Sequence, residues 1–169
     1  MKTSIFFIAA FCFTLSANTS AQTSKMSSSL PYKATYTSNF KIGNQKYAAM
    51  VLDLWKDWDD NNFDRHSYMS DTLTMYLPDG SVTKGMAENL AAAKKYRGSI
   101  KSVKSIIYAW VPLLAVDKNE EAICVWGEEE DAMNDGTTSK RSLHEVWFFN
   151  KDGKVAAMRQ WSSKLPPTP

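Results

Sequence analysis

The chain has 169 residues, of which 44% are hydrophobic and 22% are charged. This composition is typical of a globular protein, and it excludes a disordered chain, a fibrous repeat and a disulfide-rich miniprotein. The formal net charge of +2 is too small to indicate a nucleic acid or an anionic membrane as the partner. A small neutral ligand is compatible with this charge.

Residues 1–21 have the pattern of a secretory signal peptide. Lys2 gives a positive start, Ile5 to Leu15 is mostly apolar, and Thr19-Ser20-Ala21 supplies the small residues of a cleavage site. The apolar run has about 11 residues, whereas a membrane-spanning helix needs about 20. We therefore predict cleavage before Gln22, export to the periplasm or the extracellular space, and no stable membrane insertion after cleavage.

Cleavage of the signal peptide removes Cys12 and leaves Cys124 as the one cysteine of the mature chain. No internal disulfide can then form, even in an oxidising compartment. Cys124 lies in an apolar run, which favours a buried thiol over a nucleophile. With only His66 and His144 to accompany it, the sequence shows no metal-ligand spacing. We expect neither a metal nor another cofactor.

In the N-terminal half of the mature chain, the sequence predicts helices and one strand that is followed by a turn and a short return strand. Residues 22–40 are interpreted as a flexible or extended segment that precedes a domain over residues 41–165. Apolar residues recur every three or four positions from Tyr47 to Trp58, which predicts a helix capped by Asn44. The elements predicted after it are a short helix at Phe63 to Met69, a strand at Thr72 to Leu77 that ends in the turn Pro78-Asp79-Gly80-Ser81, and a third helix at Met86 to Arg97.

Beyond Gly98 the apolar period changes to two, which predicts long extended strands. The strands are predicted at Lys101 to Val116, Glu120 to Asp131, Ser139 to Asn150 and Lys154 to Ser163. The connections between them are short enough for hairpins. The order of elements predicts an α+β fold, with three N-terminal helices packed on a curved antiparallel sheet and a hollow between the two layers.

Three stretches of the chain carry a resemblance to a known family. They are Asn61-Asn62-Phe63-Asp64, the segment from Asp71 to Gly80, and the segment from Phe149 to Val155 with the following Met158-Arg159. They resemble the acidic helix break, the first strand with its Pro-Asp-Gly turn, and the last hairpin of SnoaL-like members of the nuclear transport factor 2-like superfamily. The resemblance covers roughly residues 45–164 and implies a cone-shaped α+β domain with a pocket. Because members include ketosteroid isomerases, polyketide cyclases, epoxide hydrolases and binding modules, the fold does not name the function.

Glu145 is the leading candidate site residue. We predict that Phe149 pairs with Lys154 in the last hairpin, so that Glu145 faces Met158. In ketosteroid isomerases the matching residue is an acid that points into the pocket, which implies the same position for Glu145. A carboxyl among apolar neighbours has a raised pKa and can act as an acid or a base. A register slip of one residue would instead leave Glu145 exposed. The predicted face of Glu145 also carries Leu143, Trp147 and Gln160, and the opposite face carries His144, Val146, Phe148, Val155, Ala157 and Arg159.

His66 is the second candidate catalytic residue, because imidazole titrates near neutral pH. A histidine that faces solvent is the alternative. Tyr76 stands where the resemblance places the catalytic aspartate of ketosteroid isomerases, so the isomerase base is missing and authentic ketosteroid isomerisation is disfavoured. We predict a small apolar or cyclic ligand. The residues predicted to bind it are Trp58, Tyr76, Trp126, Trp147, Met158 and Gln160.

Two functions fit these patterns. In the first, the exported protein binds a small molecule, with acid-base chemistry by Glu145 and His66 as an extension. In the second, side chains fill the pocket, and the opposite sheet face docks against a second subunit or another protein. An open cavity at Glu145 would favour the first function, and a cavity filled by tryptophans would favour the second. The predicted docking residues are His144, Val146, Phe148 and Trp161.

Overall fold

A computed structural model of the protein describes residues 31–165, and its helices and strands lie in the unit that begins at Ala34. The predicted signal peptide lies outside the described residues. Within residues 31–165, neither helix is long and apolar enough to cross a membrane. The elements in chain order are β1 (Phe40–Ile42), α1 (Gln45–Asp59), β2 (Met69–Tyr76), β3 (Val82–Lys84), α2 (Met86–Arg97), β4 (Ile100–Ala115), β5 (Glu120–Met133), β6 (Thr138–Phe149) and β7 (Val155–Lys164).

The strands of residues 31–165 form one sheet in the order β1-β4-β5-β6-β7-β2-β3. The predicted meander of β4, β5, β6 and β7 is antiparallel throughout. However, β2 runs parallel to β7, so the prediction of an antiparallel sheet is wrong at this pair. A hairpin forces its strands to be antiparallel, whereas β2 and β7 are far apart in the chain and no tight turn fixes their relative direction.

The described residues contain two helices, and the prediction of three is wrong. Helix α1 begins as expected, because the Asn44 side chain accepts a hydrogen bond from the Lys46 amide and so caps the first turn. Residues 63–69 form turns and the start of β2 instead of a helix. A helix this short gains little from its own hydrogen bonds, and the side chains of Arg65 and His66 are held by Asp57 of α1.

The hydrophobic core lies between α1 and one face of the sheet. Val51 and Trp55 project from α1 into this core, where Ile123, Val125 and Val155 come from the sheet. We call this the inner face of the sheet and the opposite side the outer face. Because neighbouring strand residues alternate between faces, the register decides which side chains meet the core. The outer face carries Trp126, His144, Val146, Phe148 and Trp161.

The last hairpin is shifted by two residues from the predicted register. Glu145 pairs with Gln160 rather than Met158, and Trp147 pairs with Met158. Since a shift of two preserves the face, Glu145 still points inward. One residue of the shift arises in the loop, where Phe149 pairs with Val155 rather than Lys154, and the second arises from a bulge after Phe148, where β7 carries an extra residue. The pairing with Phe149 places Val155 in the core, so the predicted position of Val155 on the outer face is wrong.

Candidate functional site

The Glu145 carboxyl lies in the core and joins three elements. Its residue is only 4% exposed. Atom Oε2 accepts hydrogen bonds from Nε1 of Trp55 at 2.7 Å and from Nε1 of Trp147 at 2.9 Å. Atom Oε1 accepts a hydrogen bond from Nε2 of Gln160 at 2.6 Å. The carboxyl therefore connects α1 with β6 and β7.

Burial raises the pKa of Glu145, while hydrogen bonds from Gln160, Trp147 and Trp55 act against this rise. A carboxylate offers about four acceptor positions, and protein donors occupy most of them here. A ligand that used this carboxyl would have to displace a tryptophan or the glutamine. The geometry suits a structural acceptor that is shielded from water.

Trp55 is a site residue that the sequence analysis did not single out. The neighbouring strand β5 carries Gly127, where an added Cβ would lie 3.0 Å from the Trp55 ring and 2.8 Å from the carbonyl oxygen of Ile106. The absence of a side chain at Gly127 thus lets the indole lie flat against the sheet. A buried indole N–H needs an acceptor. The sequence did carry a signal for this contact, namely a tryptophan on the apolar stripe of α1 and an isolated acid in a core strand.

The predicted ligand-binding residues lie on both sides of the sheet. Trp147 and Met158 form a cross-strand pair beside Glu145 and Gln160 on the inner face. Trp126 follows the inward-facing Val125 and therefore lies on the outer face, where its ring stacks on His144 at 5.0 Å. The Tyr76 ring also lies on the outer face, against the Arg159 guanidinium. The predicted placement of Trp126 and Tyr76 in one pocket with Glu145 is thus wrong.

Trp58 packs the end of α1 against α2. Its ring stacks on Tyr96 at 6.1 Å and meets Phe63 edge-on at 5.8 Å. Its backbone oxygen accepts a hydrogen bond from Nε of Arg97 at 3.0 Å. The Trp58 indole N–H is buried without a hydrogen-bond partner among residues 31–165. These contacts give Trp58 a packing role at the helix end.

His66 lies on a different side of α1 from Glu145. Its Nδ1 is 2.8 Å from Oδ2 of Asp57, which is only 2% exposed, and its ring stacks on Tyr68 at 4.9 Å. Asp57 follows Trp55 by two positions, a rotation of about 200° around the helix axis. Because Trp55 contacts Glu145, the imidazole and the Glu145 carboxyl do not form one acid-base pair.

A second buried ionic group lies near the end of β5 and β6. Atom Nη2 of Arg141 contacts both Glu129 and Asp131, and its distance to Oδ2 of Asp131 is 3.0 Å. Asp131 is 0% exposed. Burial raises the pKa of Glu129 to about 7; Arg141 acts against this rise and Asp131 adds to it. When one of these two carboxyls keeps its proton, the negative charge of the other balances the positive charge of the guanidinium.

Glu145 lines neither of two depressions at the surface of the sheet. The larger has a volume of about 560 Å³ and lies at the end of β6 and β7, where Ser139, Arg141 and Ser162 line it. The smaller has a volume of about 220 Å³ and lies on the outer face. Within residues 31–165, no group of three or more His, Cys, Asp or Glu side chains is placed to hold a metal ion.

No protein-family model and no curated protein sequence matches this chain. Solved structures do match it. A nuclear transport factor 2-like protein of unknown function from Exiguobacterium sp. 255-15 is 19% identical with a TM-score of 0.55, and the match covers 67% of this chain and 98% of that one. A candidate SnoaL-like polyketide cyclase from Jannaschia sp. CCS1 is 10% identical with a TM-score of 0.58, covering 78% and 90%.

The epoxide hydrolase/cyclase-like enzyme SalBIII, which takes part in pyran ring formation in salinomycin, is 17% identical with a TM-score of 0.55, and the match covers 70% of this chain and 92% of that one. At such low identities the matches establish architecture and not activity. The chain therefore has the nuclear transport factor 2-like fold, which confirms the fold that the sequence resemblance implied.

Proposed function

We propose that the protein is an exported, SnoaL-like interaction module without catalytic activity, which pairs with a second copy of itself through the outer sheet face. The exposed aromatic row of that face is the observation that carries the proposal. Trp126, His144 and Trp161 stack in succession across three strands, with ring centroids 5.0 and 5.2 Å apart. Trp161 remains 47% exposed.

The row lies within a larger apolar surface. Further exposed side chains on the same face are Ile106, Tyr108 and Phe148. Full burial of an aromatic side chain covers about 150–250 Å², so the exposed parts of these side chains add to the roughly 800 Å² that each partner contributes to a standard interface. A group of exposed aromatic side chains on one face is typical of an interaction surface.

An identical face is a suitable partner because Lys140 and Glu128 are paired within one subunit, and the Arg159 guanidinium lies against the rings of Tyr76 and Trp161. Lys140 forms an ion pair with Glu128 at 2.5 Å, and the Tyr108 hydroxyl donates to the same glutamate at 2.5 Å. Two such faces can meet across a two-fold axis without strong repulsion between like charges. On the inner face, two tryptophans and a glutamine donate to the Glu145 carboxyl, which supports the absence of catalysis there.

Sedimentation equilibrium of the chain that begins at Gln22 tests this proposal. We expect a dimer for the wild type and a monomer for Trp161→Lys, because a lysine would have to be desolvated in the interface. Tyr32→Lys is the matched control, since Tyr32 is exposed outside the sheet. A monomeric wild type, or a Trp161→Lys variant that dimerises as tightly as the control, would contradict the proposal.

Export is proposed from the signal-peptide pattern of residues 1–21. Expression of the full gene product with its own N-terminus, followed by intact mass measurement of the protein outside the cytoplasm, tests it. We expect a mature chain that begins at Gln22. An uncleaved chain that stays in the cytoplasm would exclude export.

Binding of a small apolar or cyclic molecule at Glu145 is the second candidate function. The raised pKa of this buried carboxyl and the neighbouring side chain of Gln160 favour it. A ligand would enter only if Trp55 or Gln160 moved. Mass spectrometry of molecules that copurify with the wild type, but not with a folded Glu145→Gln variant, would support this candidate. No difference between the two preparations would remove it.

A further inference from the structure

The 220 Å³ depression on the outer face is a small apolar pocket. The surfaces that line it are almost entirely carbon, apart from one thiol and the residues at its rim. The pocket lies on the side of the sheet opposite Glu145 and is separate from the candidate site described above. Its principal walls are Phe40, Leu113, Ala122, Cys124, Val146 and Phe148.

Residues Tyr36 to Asn39, which we call the strap, close one side of this pocket. The Tyr36 hydroxyl donates a hydrogen bond to Glu120. The Thr37 hydroxyl donates to Oδ1 of Asp117 at 2.6 Å, and the Asn39 carbonyl accepts from the Val116 amide at 2.9 Å. These bonds fix the strap to the hairpin between β4 and β5, so the pocket is a built feature of the fold.

We propose that this strap pocket binds a compact aromatic molecule that is uncharged or cationic. The apolar walls favour a hydrophobic ring. The volume is below the roughly 300 Å³ at which pockets for drug-sized ligands begin, which limits the ligand to about one or two fused rings. The rim selects by charge, because the acidic residue Glu120 lines it and disfavours an anion.

Cys124 supplies a direct readout, because its thiol lines the pocket. Burial raises the pKa of this thiol, so we expect slow modification by methyl methanethiosulfonate at mildly alkaline pH. Three probes share one ring system and differ in charge: indole, tryptamine and indole-3-acetate. Peptide mass mapping then follows the modification of Cys124 with each probe.

We expect indole and tryptamine to slow Cys124 modification about tenfold when present at ~10 times the dissociation constant, and indole-3-acetate to have much less effect. Ala122→Leu fills the pocket and should abolish protection. Ala157→Leu is the matched control, since it adds the same atoms to the outer face outside the pocket walls. Tyr36→Ala removes the hydrogen bond from the strap to Glu120 and should weaken protection of Cys124. This variant tests the pocket if Ala122→Leu does not fold.

Three results would overturn the proposal. One is the absence of protection by indole up to its solubility limit. Another is equal protection in the wild type and in the folded Ala122→Leu variant. The last is protection of Cys124 that rises with protein concentration and that indole does not increase. In that case a second copy of the chain, and not a small molecule, would fill the pocket. Phe148 belongs both to the pocket wall and to the proposed dimer face, so the test is also run on the Trp161→Lys variant. Indole should protect Cys124 in that variant whether or not the wild type dimerises, so a failure of the dimer proposal leaves this test unaffected.

Discussion

At the scale of single residues, the Glu145 carboxyl shows how a polar group is kept in an apolar core. Its three donors come from α1, β6 and β7, so one side chain holds the helix to the sheet. The cost of its burial is offset only while the donors stay in place. Sequence analysis identified the acid and two of its partners, because these lie in one hairpin. It missed Trp55, because contacts between distant segments leave no local pattern.

We predict that Trp55→Phe lowers the free energy of unfolding by about 1–3 kcal/mol beyond the loss of packing, since it leaves the buried carboxyl short of one donor. Trp58→Phe is the control, because the Trp58 indole N–H has no hydrogen-bond partner within residues 31–165 and its removal loses packing only. Urea denaturation of the two variants measures the difference. Equal losses in both would show that the bond to Glu145 contributes little.

The Glu129 carboxyl predicts a pH dependence of stability. Its pKa in the folded protein is about 7, above the ordinary value of 4.5, so the folded state binds the proton more tightly than the unfolded state. The contribution of this group to stability is therefore fully present below about pH 4.5 and is lost as the pH rises through 7. The Glu129→Gln variant should show a flatter profile over this range.

Thermal unfolding of the wild type and Glu129→Gln across this pH range tests the assignment. Glu130→Gln is the control, because Glu130 is the neighbouring residue on the exposed side of β5. We expect the control to follow the wild type. A Glu129→Gln profile as steep as that of the wild type would assign the pH dependence to other groups.

At the scale of elements, the sequence predicted those with a clear apolar period. Helix α2 occupies the predicted Met86 to Arg97, and the four long strands lie within a few residues of their predicted bounds. The error at residues 63–69 has a different origin. The composition of this segment allows a helix. However, the side chains of Arg65 and His66 contact the buried Asp57 of α1, and these tertiary contacts favour a non-helical backbone. The parallel pairing of β2 with β7 had no local signal either.

Asp57 and its partners should respond unequally to mutation. We predict that the double variant Arg65→Met/His66→Phe loses about 3 kcal/mol or more of unfolding free energy, because it leaves a buried carboxylate uncompensated. Asp57→Asn should lose less, about 1 kcal/mol, since Arg65 keeps its ion pair with Asp60 and the side chains of Arg65 and His66 are both partly exposed and can be hydrated. Chemical denaturation of both variants tests the order. The reverse order would mean that Asp57 is hydrated despite its position.

At the scale of the whole molecule, the two faces of the sheet differ within residues 31–165, where one is covered and the other is exposed. The inner face is covered by α1 and packed around Trp55 and Trp147, whereas the outer face leaves its aromatic row in solvent. The sequence indicated apolar residues on both faces of the last hairpin and hence a contact of this kind. It could not indicate which face is closed, because that depends on how the helix packs.

A dimer through the outer face makes thermal stability depend on protein concentration. We predict that the unfolding temperature of the wild type rises with concentration, while that of Trp161→Lys stays constant. Differential scanning calorimetry over a wide dilution series measures both. A wild-type unfolding temperature that is independent of concentration would indicate that each subunit unfolds alone.

The parallel pairing of β2 with β7 also affects the order in which the protein can fold. In the sheet, β2 and β3 join the other strands only through β7, which is the most C-terminal strand of residues 31–165. The segment from Met69 to Lys84 can therefore join the sheet only after β7 has been synthesised. Until then it can form only the β2–β3 hairpin, and its edge toward β7 stays unpaired and open to chaperones.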